Sequence, residues 1–267
     1  MPFLQTNGIQ LHYAEQGSGP PVLLIMGITA PGSVWEQHAN FWSQSFRCLM
    51  PDNRGVGRSD KPAGPYTSAM MADDFAGMLD QLGTGTVRVI GCSMGSTIAQ
   101  QLALRHPAKV HSLVLMCPWA RCDRYASGIF EHMVMQKARL RPEEFAHYIQ
   151  LLIFSKQTWD SEDSYAELVQ SRQLAALDPS PQPLHALEAQ AAACVSHDVF
   201  EELGRITCPA LVIGGEADIF TPAWMAREVA GAIHGAELHL YPDAGHAFHW
   251  ERIGDFNPRV RDWLVAH

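Results

Sequence analysis

The sequence predicts an α/β domain with a mostly parallel, doubly wound sheet, interrupted by one long helical insertion. Three observations carry that expectation. Residues 22–26 form a continuous apolar run without alternation, as suits a strand covered on both faces. From there to residue 117 strand and helix signals alternate, the rhythm of a parallel sheet with crossover helices. Between residues 118 and 205 no strand signal appears, and the alternation resumes at residue 210.

The elements follow in order. Asn7-Gly8 supplies two positions tolerant of positive φ, so residues 3–6 and 9–15 read as a hairpin. A helical stretch near residues 34–44 precedes a strand at 46–50. A helix is expected over 67–82, where Met71, Phe75, Met78, Leu79 and Leu82 share one face. Strand 87–90 leads into a helix over 94–106 that stops at Pro107, and strand 110–116 follows. Inside the insertion Phe145, Tyr148, Ile149 and Leu152 recur at i, i+3, i+4, i+7. A turn at Asp178-Pro179-Ser180-Pro181-Gln182-Pro183 sets off a last helix over 184–193. Strand 210–213, helix 222–233, strand 237–241 and a closing helix complete the chain. Pro258 is expected in the first turn of that helix, where its missing N–H costs little. Residues 1–117 and 206–267 therefore read as one domain and 118–205 as an insertion lying over it.

Composition narrows the partners. The chain has 267 residues, 47% of them hydrophobic and 18% charged, so a sizeable core is available and wholesale disorder is excluded. A net charge of −9 without basic runs argues against gripping a nucleic-acid backbone or an anionic membrane. The six cysteines form no C-x-x-C pair and have no zinc-like histidine spacing, which suits thiols in a reducing compartment. The first residues lack the basic start and apolar stretch of a signal peptide, and the longest apolar runs are strand-sized. The expectation is a cytoplasmic protein acting on a small molecule, with no metal or organic cofactor. Oligomeric state is not legible.

The chemistry centres on Gly91-Cys92-Ser93-Met94-Gly95. This G-x-S-x-G follows a β-branched strand and precedes a helix, the setting a nucleophile elbow requires. The plainer reading makes Ser93 the N-cap of that helix. A serine needs a base, and His246 lies after a strand and before the last helix, at the sheet edge where sites form. His249 is the fallback. A third group should fix the imidazole tautomer. Asp218, after strand 210–213, is the expected acid, with Glu216 and Asp123 as competitors.

These motifs together resemble the α/β-hydrolase superfamily over nearly the whole length. The matching pieces are Met26-Gly27-Ile28, the loop from Asp52-Asn53-Arg54-Gly55 to Ser59, the Ser93 pentapeptide, Gly215-Glu216-Ala217-Asp218 with Pro222, and Gly245-His246. The resemblance implies an α/β-hydrolase fold with an eight-stranded sheet, a helical cap over 118–205, and a triad of Ser93, Asp218 and His246. It also implies an oxyanion hole made by the backbone N–H groups of Ile28 and Met94. Many relatives have His-Gly where this chain has Met26-Gly27; a backbone donor survives that change.

Phe220 and Phe248, beside the acid and the base, are expected as pocket walls, together with Trp119 from the insertion. Arg54 reads as an internal anchor. The expected function is hydrolysis of a carboxylic ester or lactone, and the chain is similar to enol-lactonases and small-molecule carboxylesterases. Hydrolysis of a carbon–carbon bond in dienoic ring-cleavage products uses the same triad and is the enzymatic alternative. A ligand-binding protein of the same fold with little turnover is the alternative from another class.

Overall fold

The computed structural model describes residues 2–267. Eight strands form one sheet: β1 (Phe3–Thr6), β2 (Ile9–Gln16), β3 (Pro21–Ile25), β4 (Arg47–Pro51), β5 (Val87–Cys92), β6 (Val110–Met116), β7 (Ala210–Gly215) and β8 (Glu237–Tyr241). Their order is β1-β2-β4-β3-β5-β6-β7-β8. The β1–β2 hairpin and the β2–β4 pair are antiparallel, and every later pair is parallel. Asn7 and Gly8 both take positive φ, 46° and 77°, as the two-residue turn demands.

Eleven α-helices accompany the sheet among the described residues. Along the main domain run α1 (Glu36–Trp42), α2 (Ser68–Leu82), α3 (Met94–Arg105), α9 (Ala223–Ala232), α10 (Phe248–Glu251) and α11 (Ile253–Ala266). Between β6 and β7 lie α4 (Arg124–Lys137), α5 (Pro142–Ile153), α6 (Lys156–Asp160), α7 (Glu162–Ala175) and α8 (Leu184–Val195). The ends of this excursion are stapled together: Val199 N–H donates to Ala120 O (2.9 Å) and Cys122 N–H to His197 O (3.2 Å).

The alternation of strand side chains produces two cores. Leu23, Ile25, Val89, Leu113, Leu115 and Val212 face one way, toward a core shared with Phe75 of α2, Ile98 of α3, Met225 of α9 and insertion residues such as Phe130. Val22, Leu24, Ile90, Val114, Leu211 and Ile213 face the other way, onto Trp35, Trp42, Phe256 and Trp263. Near-continuous apolar strands are thus consumed on both faces.

Two boundaries differ from expectation. The stretch near 34–44 is a 3-10 turn (Gly32–Trp35) followed by α1. Helix α11 begins at Ile253, so Pro258 sits inside it rather than in its first turn. Tertiary contacts outweigh the proline: Phe256 and Asn257 are buried, and the Trp42 indole donates to Asn257 O (3.0 Å), fixing the turn before Pro258 as helix.

Candidate active site

Ser93 joins β5 to α3 with φ 55° and ψ −121°, a conformation non-glycine residues avoid. The flanking glycines make the bend possible. A Cβ at Gly91 would overlap the Gly95 carbonyl oxygen, and one at Gly95 would overlap the Ile25 carbonyl. Ser93 N–H donates to Met116 O at 2.8 Å, tying the bend to the end of β6. The Ser93 side chain makes no capping bond to α3, which separates the elbow from the N-cap reading. Its Oγ is closed off from solvent and has no hydrogen-bond partner among the described residues.

The ends of β6, β7 and β8 bring the other groups together. Asp218 Oδ2 lies 2.8 Å from His246 Nδ1. Asp218 is itself held: Oδ1 accepts from the N–H groups of Phe220 (2.8 Å) and Thr221 (2.9 Å), and Oδ2 accepts from the Thr221 hydroxyl (2.9 Å). Thr221 Oγ1 also lies 3.0 Å from His246 Nδ1. A carboxylate at Nδ1 selects the tautomer with its proton there, which leaves the Nε2 lone pair available as a base. Ser93, Asp218 and His246 are 3%, 4% and 7% exposed, so their charges act with little water between them. Burial alone would lower the His246 pKa; the Asp218 charge and hydrogen bond, with Cys92 nearby, push it above its ordinary value.

The competitors are engaged elsewhere. His249 is buried against His38, its Nδ1 2.9 Å from His38 Nε2. Glu216 pairs with Arg227 at 3.0 Å on the surface, and Asp123 caps α4 by accepting from Ala126 N–H at 2.8 Å. Arg54 forms a bidentate pair with buried Asp74 (2.9 and 2.6 Å), an internal anchor.

Two contributors escape sequence reasoning. Thr221 had a faint signal, an Asp followed three residues on by Thr ahead of a helix, the spacing of a local capping turn. Cys117, with φ 48°, directs its thiol to His246 O at 3.1 Å, and burial pushes that thiol well up in pKa, so it remains a donor. Cys117, Asp218 and His246 offer ligand atoms within 4.8 Å of one another, the group of metal-ligand character among the described residues. Of these, Asp218 Oδ2 and His246 Nδ1 already serve one another as hydrogen-bond partners, and the Cys117 thiol is committed to the His246 carbonyl oxygen.

Met94 opens α3, so its N–H has no acceptor within the helix. The Met26-Gly27-Ile28 turn lies against the same serine: a Cβ on Gly27 would stand 3.1 Å from Ser93 Cβ and 3.7 Å from Oγ. The turn that carries Ile28 and the first turn of α3 thus both adjoin Ser93.

A sequence profile described as the alpha/beta hydrolase fold matches residues 20–253. The chain belongs to the α/β-hydrolase fold family. Within it, the chain is 31% identical over 263 residues to a Mycobacterium tuberculosis H37Rv protein that carries the name non-heme bromoperoxidase BpoC, covering 97% of this chain and 98% of that one. It is similar to the solved enol-lactonase from Burkholderia xenovorans LB400, with 27% identity, a TM-score of 0.89, and coverage of 99% of this chain and 100% of that chain. It is also 26% identical over 269 residues to the 2-hydroxy-6-oxo-6-phenylhexa-2,4-dienoate hydrolase of Comamonas testosteroni, covering 95% and 91% of the two chains.

In this α/β-hydrolase chain the three expected wall residues part company. Phe220 packs on His246, its ring 4.8 Å from that imidazole and 5.5 Å from Phe130. Trp119 is buried in packing with Phe130 and His197. Phe248 turns to the opposite core, stacked on Tyr241 and edge-on to Phe256, because α10 starts there and directs it under the sheet edge. A cavity of about 930 Å³ opens between α5, α7 and the α10 segment, walled by residues including Thr29, Phe145, Ile149, Ile153, Leu168 and Trp250. Thr29 places it beside the Ile28 turn, and neither Ser93 nor His246 is among its lining residues.

Proposed function

We propose that this chain is a serine hydrolase cleaving a carboxylic ester or lactone of a small, largely apolar molecule. Ser93 Oγ attacks the carbonyl carbon while His246 Nε2 takes its proton. The developing oxyanion is received by the N–H groups of Met94 and Ile28. His246 then returns the proton to the leaving oxygen, and water, activated by the same base, releases the acid. Asp218 orients His246 and supports its positive charge. The single observation that carries this reading is the 2.8 Å contact between Asp218 and His246 at the sheet end that holds the strained Ser93.

The helices of residues 118–205 act as a cap in this reading. Ser93 Oγ is closed to solvent, so substrate entry requires the cap to shift, and the 930 Å³ cavity, whose wall mixes Phe145, Ile149, Ile153, Leu168 and Trp250 with polar and charged side chains, would take the apolar part against those five. Similarity to the Comamonas hydrolase favours one second reading, carbon–carbon bond hydrolysis of a dienoic acid with the same residues. The short Gly27-Ile28-Thr29 turn fits the ester reading better.

The test is covalent labelling with a fluorophosphonate, read by intact mass and peptide mapping, on wild type and Ser93→Ala. A single adduct on Ser93, absent from the variant, is expected, and turnover of esters, lactones and dienoic acids then ranks the substrates. An adduct elsewhere, or none on a folded protein that admits the probe, would overturn the nucleophile assignment.

A further inference from the structure

We propose that Gln190, carried by the insertion helix α8, is a positioning residue for the oxyanion turn, so that the seating of the insertion sets the geometry of that turn. The inference rests on the serine-hydrolase reading above.

Gln190 is fully buried and both ends of its amide are committed. Its Oε1 accepts from the backbone N–H of Thr29 (3.1 Å) and from Gln182 Nε2 (2.9 Å), and its Nε2 donates to Arg54 O (2.8 Å). Reversing the amide would oppose donors to donors, so the orientation is determined. Thr29 itself has φ 69°, a conformation that a β-branched residue holds only where its surroundings over-determine it. At the other end of the turn, buried Asn53 donates through Nδ2 to Met26 O at 2.7 Å. The turn is thus gripped at Met26 by a core loop and at Thr29 by the insertion, with the Ile28 N–H between the two grips.

Without the Gln190 acceptor, the half-buried Thr29 N–H would lose its protein partner, and the strained φ would lose that restraint. Relaxation of Thr29 rotates the adjoining peptide and swings Ile28 N–H away from Ser93. That donor matters most when charge develops on the substrate oxygen, so the loss should fall on kcat rather than on KM.

The experiment measures kcat and KM for an ester, the inhibition constant of a trifluoromethyl ketone that forms a tetrahedral adduct, and the melting temperature. The proteins are wild type, Gln190→Met and Ser180→Ala. Ser180 Oγ donates to Gly57 O at 2.9 Å, an insertion-to-core bond that does not touch the turn. For Gln190→Met, kcat is expected to fall roughly tenfold with KM within about twofold, and ketone affinity to fall by the same factor. Ser180→Ala should leave all three within about twofold of wild type. Unchanged kcat and ketone affinity in Gln190→Met, a change confined to KM, or equal losses in both variants would overturn the proposal.

If Gln190→Met does not fold, Gln190→Glu takes its place, since a buried carboxyl group facing a carbonyl is held protonated and so keeps an acceptor opposite Thr29 and a donor opposite Arg54 O. Wild-type-like ketone affinity would then support the proposal and a tenfold loss would overturn it. A wild-type protein that neither hydrolyses esters nor binds the ketone would overturn the serine-hydrolase reading and this inference with it. An active wild type matched by Gln190→Met would overturn the inference alone.

Discussion

His38 and His249 share one hydrogen bond, Nε2 to Nδ1 at 2.9 Å, inside a pocket of Trp35, Trp42 and Phe256. His38 Nδ1 meets Asn257 Oδ1 at 2.7 Å, so the pair links α1 to α10 and α11. Two imidazoles so joined cannot both be charged. Burial pushes His38 down to about 4, its Asn257 bond opposing, and burial with the neighbouring His38 and His246 pushes His249 well below its ordinary value. Stability should therefore depend on pH. Below about 6.5 the unfolded chain takes up protons that these native imidazoles refuse, so unfolding becomes easier as pH falls. His38 alone should remove about 3 kcal/mol between pH 6.5 and 4. Urea unfolding midpoints from pH 7.5 to 4.5 test this, and a flat profile would contradict it.

Ser93→Ala should reduce ester turnover by roughly 10⁴ to 10⁶-fold while leaving the fold intact. Steady-state kinetics with circular dichroism on the same samples check both halves. Retention of more than a few per cent of the rate would remove Ser93 from the mechanism.

The rate should rise with pH through an apparent pKa above 6.5, because the base must be neutral and its folded pKa is raised. Burial is the largest single influence and opposes that shift, while the Asp218 charge and hydrogen bond, with Cys92, outweigh it, so Asp218→Asn should move the acid limb downward as well as slow the reaction. A kcat/KM profile from pH 5 to 9 for both proteins is the measurement. An acid limb unmoved in the variant would mean that Asp218 is not the partner.

Thr221→Val removes the hydroxyl that donates to Asp218 Oδ2 and sits 3.0 Å from His246 Nδ1. The expected result is a loss in kcat of about tenfold, with little change in KM. Thr221→Ser, which keeps the hydroxyl, should recover most of it.

Asp74 takes both Arg54 nitrogens in a nearly dry site, with Asn7 Nδ2 at 2.8 Å as a further donor. Asp74→Ala should destabilise the protein by about 3–5 kcal/mol by leaving the guanidinium buried without a counter-charge. Chemical denaturation measures the cost; a change under 1 kcal/mol would show that the anchor is dispensable.

The bend at Ser93 is legible because such an elbow needs small neighbours and a strand-to-helix setting, both of which are local, and the meeting of His246 with Asp218 follows from their places after β8 and β7. Asp218 was harder. Glu216 lies on the same loop and Asp123 on the loop after β6, and only their partners, Arg227 and the start of α4, separate them from His246. Phe248 was misleading because nearness to His246 in sequence does not fix the direction of its side chain; one turn of α10 sends it to the other core. Pro258 has the sequence signature of a helix start, whereas the contact from Trp42 to Asn257 holds helix on both sides of it. Gln190 lies 161 positions from Thr29, and nothing local in either segment announces their meeting.

The pairing of β6 with β7 has a consequence for how the molecule is made. Leu113–Met116 align with Ala210–Ile213 residue for residue, yet the whole helical excursion is synthesised between them. A nascent chain therefore carries an unfinished sheet whose apolar edge, Val114 and Leu115 among it, has no neighbour until the ribosome has passed residue 213. Unpaired apolar strands template association with other chains. Yield of the native protein should accordingly depend on translation speed and on holdase chaperones more than its final stability would suggest.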